Sequence, residues 1–239
     1  MWELSDGEKI SKIIKKIQKL NLSEDAKEIY NYVILTNSFP PKKNFTEKEF
    51  LKIKIDWLIK NGNLDLIKDF VVKNNEEAID TKLLKYYLDQ NLSTADLEKA
   101  CELFSFLNVL STDNYVSKFK IYCLLNEKKN ELAQLQFDLL KEAGFEDIFF
   151  EERFNFIMGY TAENNFKISE KNLLDFHISH LTSENFQYEP KENTSKIIWK
   201  YLSSFNLLEN LDEIDIEDAE KIISIEKATN DGNYLEKDL

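Results

Sequence analysis

His177 and His180 are the only histidines in the sequence, and with Asp175 they form the spacing Asp-x-His-x-x-His. Residues three positions apart share one face of an α-helix, so both imidazoles are able to reach one metal ion. Such a site needs a third and usually a fourth ligand; Asp175 points elsewhere on the helix, which leaves Glu170 or Glu184. The alternative is two histidines that cap or flank a helix end, where a protonated imidazole suits the dipole. We therefore predict no metal or cofactor and keep this pair as the candidate metal site.

Other catalytic constellations are missing from the sequence. Five scattered glycines leave no phosphate-binding loop, and no nucleophile elbow or zinc-protease motif is present. Adjacent acidic residues are frequent, but neighbouring acids at exposed helix starts are typical of solvated faces rather than of general acid–base pairs. The clearest such pairs are Glu76-Glu77, Glu151-Glu152 and Asp212-Glu213. The sequence thus predicts a protein without catalytic residues.

Two cysteines, Cys101 and Cys123, do not amount to a disulfide framework. Both fall among apolar residues of predicted helices, which favours buried free thiols. A single disulfide between neighbouring helices is the alternative. A Cys–His nucleophile is not expected, because either cysteine would have to meet a histidine more than 50 positions away.

The elements that carry these residues are predicted to be helices. The chain has 239 residues, of which 43% are apolar, yet only five are Gly and three are Pro. Apolar residues recur every three to four positions, and no clean alternating pattern appears. We predict an all-α protein of about a dozen helices, joined by short turns that make neighbours antiparallel. The result is a set of stacked helical hairpins, either an α-solenoid or an irregular helical array.

Local signals place the helix ends. Helices are expected at about 8–20, 24–36, 76–90, 147–160, 197–205 and 216–229, among others. Thr46 and Glu49 form a capping box, and Gly62 and Gly144 end helices. The other predicted N-terminal caps are Ser23, Ser93 or Thr94, Asp113 and Ser169.

The domain organisation follows from the breaks. Residues 37–44, with Pro40-Pro41, form the first linker, and residues 182–194, with Pro190, form the second. We predict a helical-hairpin array over 1–181, most regular over 64–144, and a C-terminal helical extension over 195–239. Within 64–144, helix–turn–helix units recur about every 32–36 residues.

Part of this region resembles a known family. The run from Asp96 to Phe104, with Ala100 as a small residue between paired helices, is followed by a similar phrase from Glu131 to Phe137 built on Ala133. These phrases resemble the tetratricopeptide-like superfamily over about a third of the chain. The first-helix Trp-Leu-Gly-Tyr phrase and the inter-repeat Pro are absent. The resemblance implies an elongated scaffold that binds peptides or proteins.

Charge restricts the partner class. The net charge is −13, and Arg153 is the only arginine, so we predict no nucleic-acid binding. Positive charge is concentrated before residue 61, a segment that contains 12 Lys and 9 acidic residues. Residues 145–239 contain 9 basic and 21 acidic residues. The first helix has an Ile face and a Lys face, which would suit an anionic membrane or a partner, but packing of the Ile face on the second helix is favoured.

These observations predict a non-enzymatic protein–protein interaction scaffold whose partner is a protein or peptide, with a basic segment as one option. Aromatic side chains are candidates for its groove, although most should be core: Tyr86, Tyr87, Phe149, Phe150, Phe154 and Phe156. The alternative is the helical accessory region of a larger enzyme, such as the superhelical part of a lytic transglycosylase. No signal peptide or membrane-spanning stretch is evident in this sequence. The sequence leaves the compartment of this soluble chain open: the cytoplasm, or the periplasm if the chain is part of a longer protein.

Overall fold

The computed structural model describes residues 2–36, 39–74, 80–107, 113–162, 167–191, 193–208 and 219–230. Within these ranges the chain forms twelve helices and no strand, apart from an isolated bridge between Asp6 and Lys43. The predicted all-α fold is confirmed. The longest described helix has 15 residues, and none of the described helices is long and apolar enough to cross a membrane.

The chain divides into two compact units, Met1–Asn74 and Asn75–Leu239. The first unit contains α1 (Gly7–Ile17), α2 (Glu24–Leu35), α3 (Glu47–Asn61) and α4 (Leu64–Lys73). The second contains α5 (Thr81–Ser93), α6 (Leu97–Phe106), α7 (Asn114–Asn126), α8 (Asn130–Glu142), α9 (Ile148–Ile157), α10 (Leu173–Thr182), α11 (Lys196–Ser204) and α12 (Ala219–Asn230). The predicted linker 182–194 lies inside the second unit, between two helices that pack against each other.

The core of the first unit forms where the apolar faces of α1, α2 and α3 meet. Its buried members are Ile10, Ile14, Tyr30, Ile34, Phe50 and Trp57. Ile10 and Ile14 of the predicted Ile face therefore pack with the second helix, whereas Ile13 of that face is 58% exposed. Gly7, at the start of α1, is required by close approach, because a Cβ there would lie 2.1 Å from Cβ of Phe45.

The second unit is organised around α5, which packs against α6, α7, α10 and α11. Its buried apolar side chains are Leu83, Leu84, Tyr87, Leu88 and Leu92. The α11 contact joins residues far apart in the chain, as the bond from Lys200 Nζ to Gln90 Oε1 at 3.0 Å illustrates. In a solenoid each repeat contacts only its neighbours, so this packing fits the irregular array of the two predicted arrangements.

Several predicted helix ends are confirmed. Ser23 caps α2, Thr46 and Glu49 form a complete capping box at α3, and Asp113 caps α7. Gly62 ends α3 with a φ of 68°, in the left-handed region. Residues 37–38, 76–79 and 216–218 of the predicted segments lie outside the described part of the chain.

Two predicted caps are wrong. Ser93 is the last residue of α5 and Thr94 follows it, whereas the side chain of Asp96 accepts the N–H of Lys99 and caps α6. Ser169 does not begin a helix either, because Asn172 caps α10. In both cases a second capping residue three positions or fewer downstream is used, which local sequence alone does not distinguish.

Candidate functional site

The two histidines lie on α10, whose N-cap Asn172 accepts the backbone N–H of Asp175 at 2.8 Å. Their imidazoles share one face of the helix, as their spacing predicts. Nδ1 of His177 lies 2.7 Å, and Nδ1 of His180 lies 2.8 Å, from the hydroxyl oxygen of Tyr201 on α11. The two rings therefore converge on a phenol hydroxyl.

Tyr122 on α7 extends this contact, since its hydroxyl lies 2.9 Å from Nε2 of His177. The four residues Tyr122, His177, Tyr201 and His180 form a continuous set of hydrogen bonds, here called the Tyr–His chain. The first three side chains are buried and His180 is half-buried. The Tyr–His chain thus connects three helices of the second unit, and His180 is its one partly exposed member.

The proton count of the Tyr–His chain restricts it to two neutral arrangements. When the single hydroxyl proton of Tyr201 is used within the Tyr–His chain, it is donated to one imidazole and the oxygen accepts an N–H from the other. The protons therefore all point from Tyr122 toward His180, or all point the opposite way. A protonated His180 carries N–H on both nitrogens and would impose the second arrangement. Chemically, the chain is able to transmit a proton shift from a half-buried to a buried position.

Burial keeps the Tyr–His chain uncharged. Desolvation, with a smaller effect of neighbouring His180, lowers the pKa of His177 to about 3. Burial also lowers the pKa of His180 and raises the pKa of both Tyr122 and Tyr201 well above the usual tyrosine value. At neutral pH all four groups are therefore neutral, and each hydrogen bond links uncharged partners.

Asp175, the third residue of the histidine motif, faces a different partner. Its Oδ1 accepts a hydrogen bond from Lys118 Nζ at 2.7 Å, and its Oδ2 accepts one from Asn172 Nδ2 at 2.7 Å. Lys118 also donates to Oδ2 of Asp147 at 2.9 Å. The side chains of Lys118, Asp147 and Asp175 are at most 7% exposed. This buried ion-pair triad joins α7, the N-cap of α9, and α10.

Among the described residues, the structure brings no further ligand to the histidine pair. Glu170 and Glu184, the acids available nearby in sequence, are both exposed. In the described part of the chain, no group of three or more His, Cys, Asp or Glu side chains is placed to hold a metal ion. The imidazole nitrogens that face each other are already hydrogen bonded to Tyr201.

The expectation of buried free thiols is wrong. Cys101 on α6 and Cys123 on α7 form a disulfide, with their Cα atoms 5.5 Å apart. Both residues are buried, as predicted. Pairing follows from the packing of α6 against α7, which brings the two side chains together from 22 positions apart. A bonded cysteine offers no thiolate for nucleophilic chemistry.

The other candidates are structural. Among the aromatic residues proposed for a groove, Tyr87, Phe150 and Phe154 are buried, and the remaining three are half-buried. Glu151 pairs with Lys141 at 2.6 Å, and the acidic pairs at 76–77 and 212–213 lie outside the described residues.

An exposed apolar face on α8 was not anticipated. Leu132, Leu135 and Leu139 are 52%, 52% and 47% exposed, whereas Ala133 and Phe137 on the same helix are buried. We call the first three residues the α8 leucine face. All five residues are apolar and at helical spacing, so the sequence contains no signal that tells the inner from the outer set.

Comparisons with known proteins gave no match for this chain. No protein-family model matches it, and neither does any curated protein or solved structure. The resemblance to tetratricopeptide-like repeats therefore stays a prediction, and function must be argued from the geometry.

Proposed function

We propose that the chain is a non-enzymatic protein-interaction module that binds an amphipathic helix of a partner protein on the α8 leucine face. The observation that carries this proposal is the half-exposure of Leu132, Leu135 and Leu139. Exposed leucines at i, i+3 and i+7 match the anchor spacing of helix-mediated recognition. Scattered exposed apolar residues need no explanation, but a row on one helix face does.

The packing on the opposite side of α8 supports a binding role for the α8 leucine face. Phe137 packs on the opposite side of the helix, with its ring 4.4 Å from that of Phe154 and 5.7 Å from that of Phe150. This packing orients the leucines away from the core. A partner that covered the face would remove about half of each leucine side chain from water, roughly 1 kcal/mol apiece. These leucines would form the apolar centre of a transient interface, with the flanking charges at its rim.

The charges beside the leucines define the partner. Helical periodicity places Glu131, Asp138 and Glu142 in a row along one flank of the α8 leucine face. All three are exposed. The partner helix should therefore carry lysine or arginine beside its apolar stripe, which agrees with the net charge of −13.

The experiment uses two synthetic amphipathic helical peptides that share one leucine stripe, one flanked by lysines and the other by glutamates. Fluorescence anisotropy should show saturable binding of the lysine peptide, weakening with salt, and none of the glutamate peptide. Leu135→Asp should abolish binding. Leu181→Asp, at an equally exposed leucine on α10 (54%), is the matched control and should leave binding intact.

Three results would contradict the proposal: failure of the lysine peptide to bind, equal binding of both peptides, or an equal loss in the Leu181→Asp variant. Sedimentation of the protein alone tests whether a second copy of this chain covers the α8 leucine face. If the chain dimerises and Leu135→Asp abolishes the dimer, the α8 leucine face serves a second copy of this chain instead of a partner.

One observation favours a second candidate, the helical accessory region of a larger cell-wall-active enzyme. A buried disulfide forms and persists in oxidising compartments, where such an enzyme works. The native reading frame tests this candidate. A continuation into a catalytic domain with an acidic catalytic residue would support it, and a frame without such a domain would remove it.

A further inference from the structure

The first unit contains a cavity of about 300 Å³ at the junction of its first three helices. Its walls come from the turn after α1, which supplies Lys19, from the start of α2, which supplies Lys27, and from the last turn of α3, which supplies Lys60. The volume is at the lower end of the range for small-molecule sites.

Every charged residue that lines this cavity is a lysine. Lys27 is paired with Glu24 at 2.6 Å, but Glu24 does not line the cavity. Lys60 donates one hydrogen bond to the backbone carbonyl of Gln18, which leaves two of its three ammonium protons for another acceptor. The cavity therefore presents excess positive charge and unused donors.

The remaining wall is apolar on one side. Leu20, Leu22 and Trp57 line it. The indole N–H of Trp57 is already used, because it donates to Asn31 Oδ1 at 2.7 Å. Trp57 is 3% exposed and packs mainly in the core of the first unit, so it contributes a small part of the apolar wall and no donor. Cations beside leucine and indole surface suit a ligand with one anionic group and one apolar body.

We propose that this cavity binds a small organic anion, in which a carboxylate or phosphate meets Lys19 and Lys60 while an apolar body contacts Leu20, Leu22 and Trp57. This site is independent of the α8 leucine face, since it lies in the other unit and recognises a different class of molecule. The excess of 12 Lys over 9 acids in residues 1–60 favours the same charge of ligand.

Isothermal titration of the full chain tests the proposal with three probes: 4-phenylbutyrate, its neutral amide and inorganic phosphate. Phenylbutyrate should bind saturably in the millimolar range or tighter, and less tightly as salt is added. The amide, which lacks the charge, and phosphate, which lacks the apolar body, should each bind on the order of tenfold more weakly.

Charge-reversal variants identify the site. Lys19→Glu and Lys60→Glu should each weaken phenylbutyrate binding by tenfold or more, on the basis of lost charge-assisted hydrogen bonds. Lys52→Glu is the matched control, because Lys52 is an exposed lysine of α3 that does not line the cavity. Circular dichroism confirms that each variant is folded.

The proposal is overturned if phenylbutyrate gives no saturable heat, or if the amide or inorganic phosphate binds as well as phenylbutyrate. An equal loss in Lys52→Glu would also overturn it, since the effect would then reflect net charge and not this cavity.

Discussion

The hydroxyl oxygen of Tyr201 lies 2.8 Å from Nδ1 of His180 and 2.7 Å from Nδ1 of His177, so one phenol is hydrogen bonded to two imidazoles. His177 and His180, whose spacing matches that of metal ligands, thus form part of a hydrogen-bonded contact between α10 and α11. Four predictions about the interior of the second unit follow from this contact and its neighbours.

Acid should destabilise the protein through His177. Its pKa is about 3 in the folded chain and near 6.5 when solvated, so between these values the unfolded state binds one more proton. Stability is therefore lost as the pH falls below 6.5, by about 1.4 kcal/mol per pH unit from this residue. Urea denaturation of the wild type and of His177→Gln between pH 7.5 and 4.5 measures it.

The variant lacks this titration, so the wild type's advantage in free energy of unfolding should shrink steadily as the pH is lowered. His180 and the carboxylates are present in both proteins, and their contributions largely cancel. A constant difference across this pH range would show that His177 is not held neutral.

Tyr201→Phe should destabilise the chain by roughly 2–4 kcal/mol, because both imidazoles lose their shared partner within a buried environment. Tyr188→Phe is the control. Its hydroxyl is half-buried and lies 3.2 Å from the Thr194 hydroxyl, so its removal should cost about 0.5–1.5 kcal/mol. Chemical denaturation gives both values. Equal losses in the two variants would argue against the Tyr–His chain.

Removal of the charge at Lys118 should be among the most damaging single substitutions. Lys118→Met removes the buried cation shared by Asp147 and Asp175, which leaves Asp147 only the exposed Lys171, and should cost about 3–5 kcal/mol. Lys171→Met is the matched control, because Lys171 approaches the same Oδ2 of Asp147 at 3.5 Å but is 71% exposed. It should cost less than about 1 kcal/mol.

The titration of Asp147 provides a second measurement. Burial alone would raise the pKa of this carboxyl, but hydrogen bonds from Lys118 and from the Phe150 N–H, with the lysine charges, outweigh burial and lower it. NMR titration should therefore show a higher pKa for Asp147 in Lys118→Met than in Lys171→Met. The reverse order would contradict the assignment of the ion-pair triad.

The Cys101–Cys123 disulfide should stabilise the second unit by about 3 kcal/mol, from the lost entropy of the unfolded loop across a sequence separation of 22. Cys101→Ser combined with Cys123→Ser should lower the stability by this amount. Thiol titration of the denatured, unreduced protein should detect no free cysteine. Two reactive thiols would contradict the bond.

The sequence predicted local features of the helices well, but it did not predict which side chains from distant positions meet. Thr46 with Glu49 signals a helix start whatever lies around it, and the three-residue spacing of His177 and His180 sets their common face. Tyr201 lies 21 positions beyond His180, and no local pattern links them. The prediction of free thiols was wrong for the same reason, because the packing of α6 on α7 determines whether Cys101 and Cys123 meet.

The α8 leucine face illustrates the remaining difficulty. Leu132, Leu135 and Leu139 repeat at helical spacing like any core face, and so do Ala133 and Phe137. Packing of α8 on α7 and the contact of Phe137 with the aromatic rings of α9 determine which set is covered. Hydrophobic periodicity therefore predicted the helix but not its orientation.

Lys118 also bears on the order of assembly. Its ammonium needs Asp147, at the start of α9, and Asp175, on α10, yet these residues are 28 positions apart. If only one of them docked, the Lys118 ammonium would be desolvated with only one of the two carboxylates that accept its hydrogen bonds. Partly assembled states are therefore penalised, and α7, α9 and α10 should form and open together, as one cooperative folding unit.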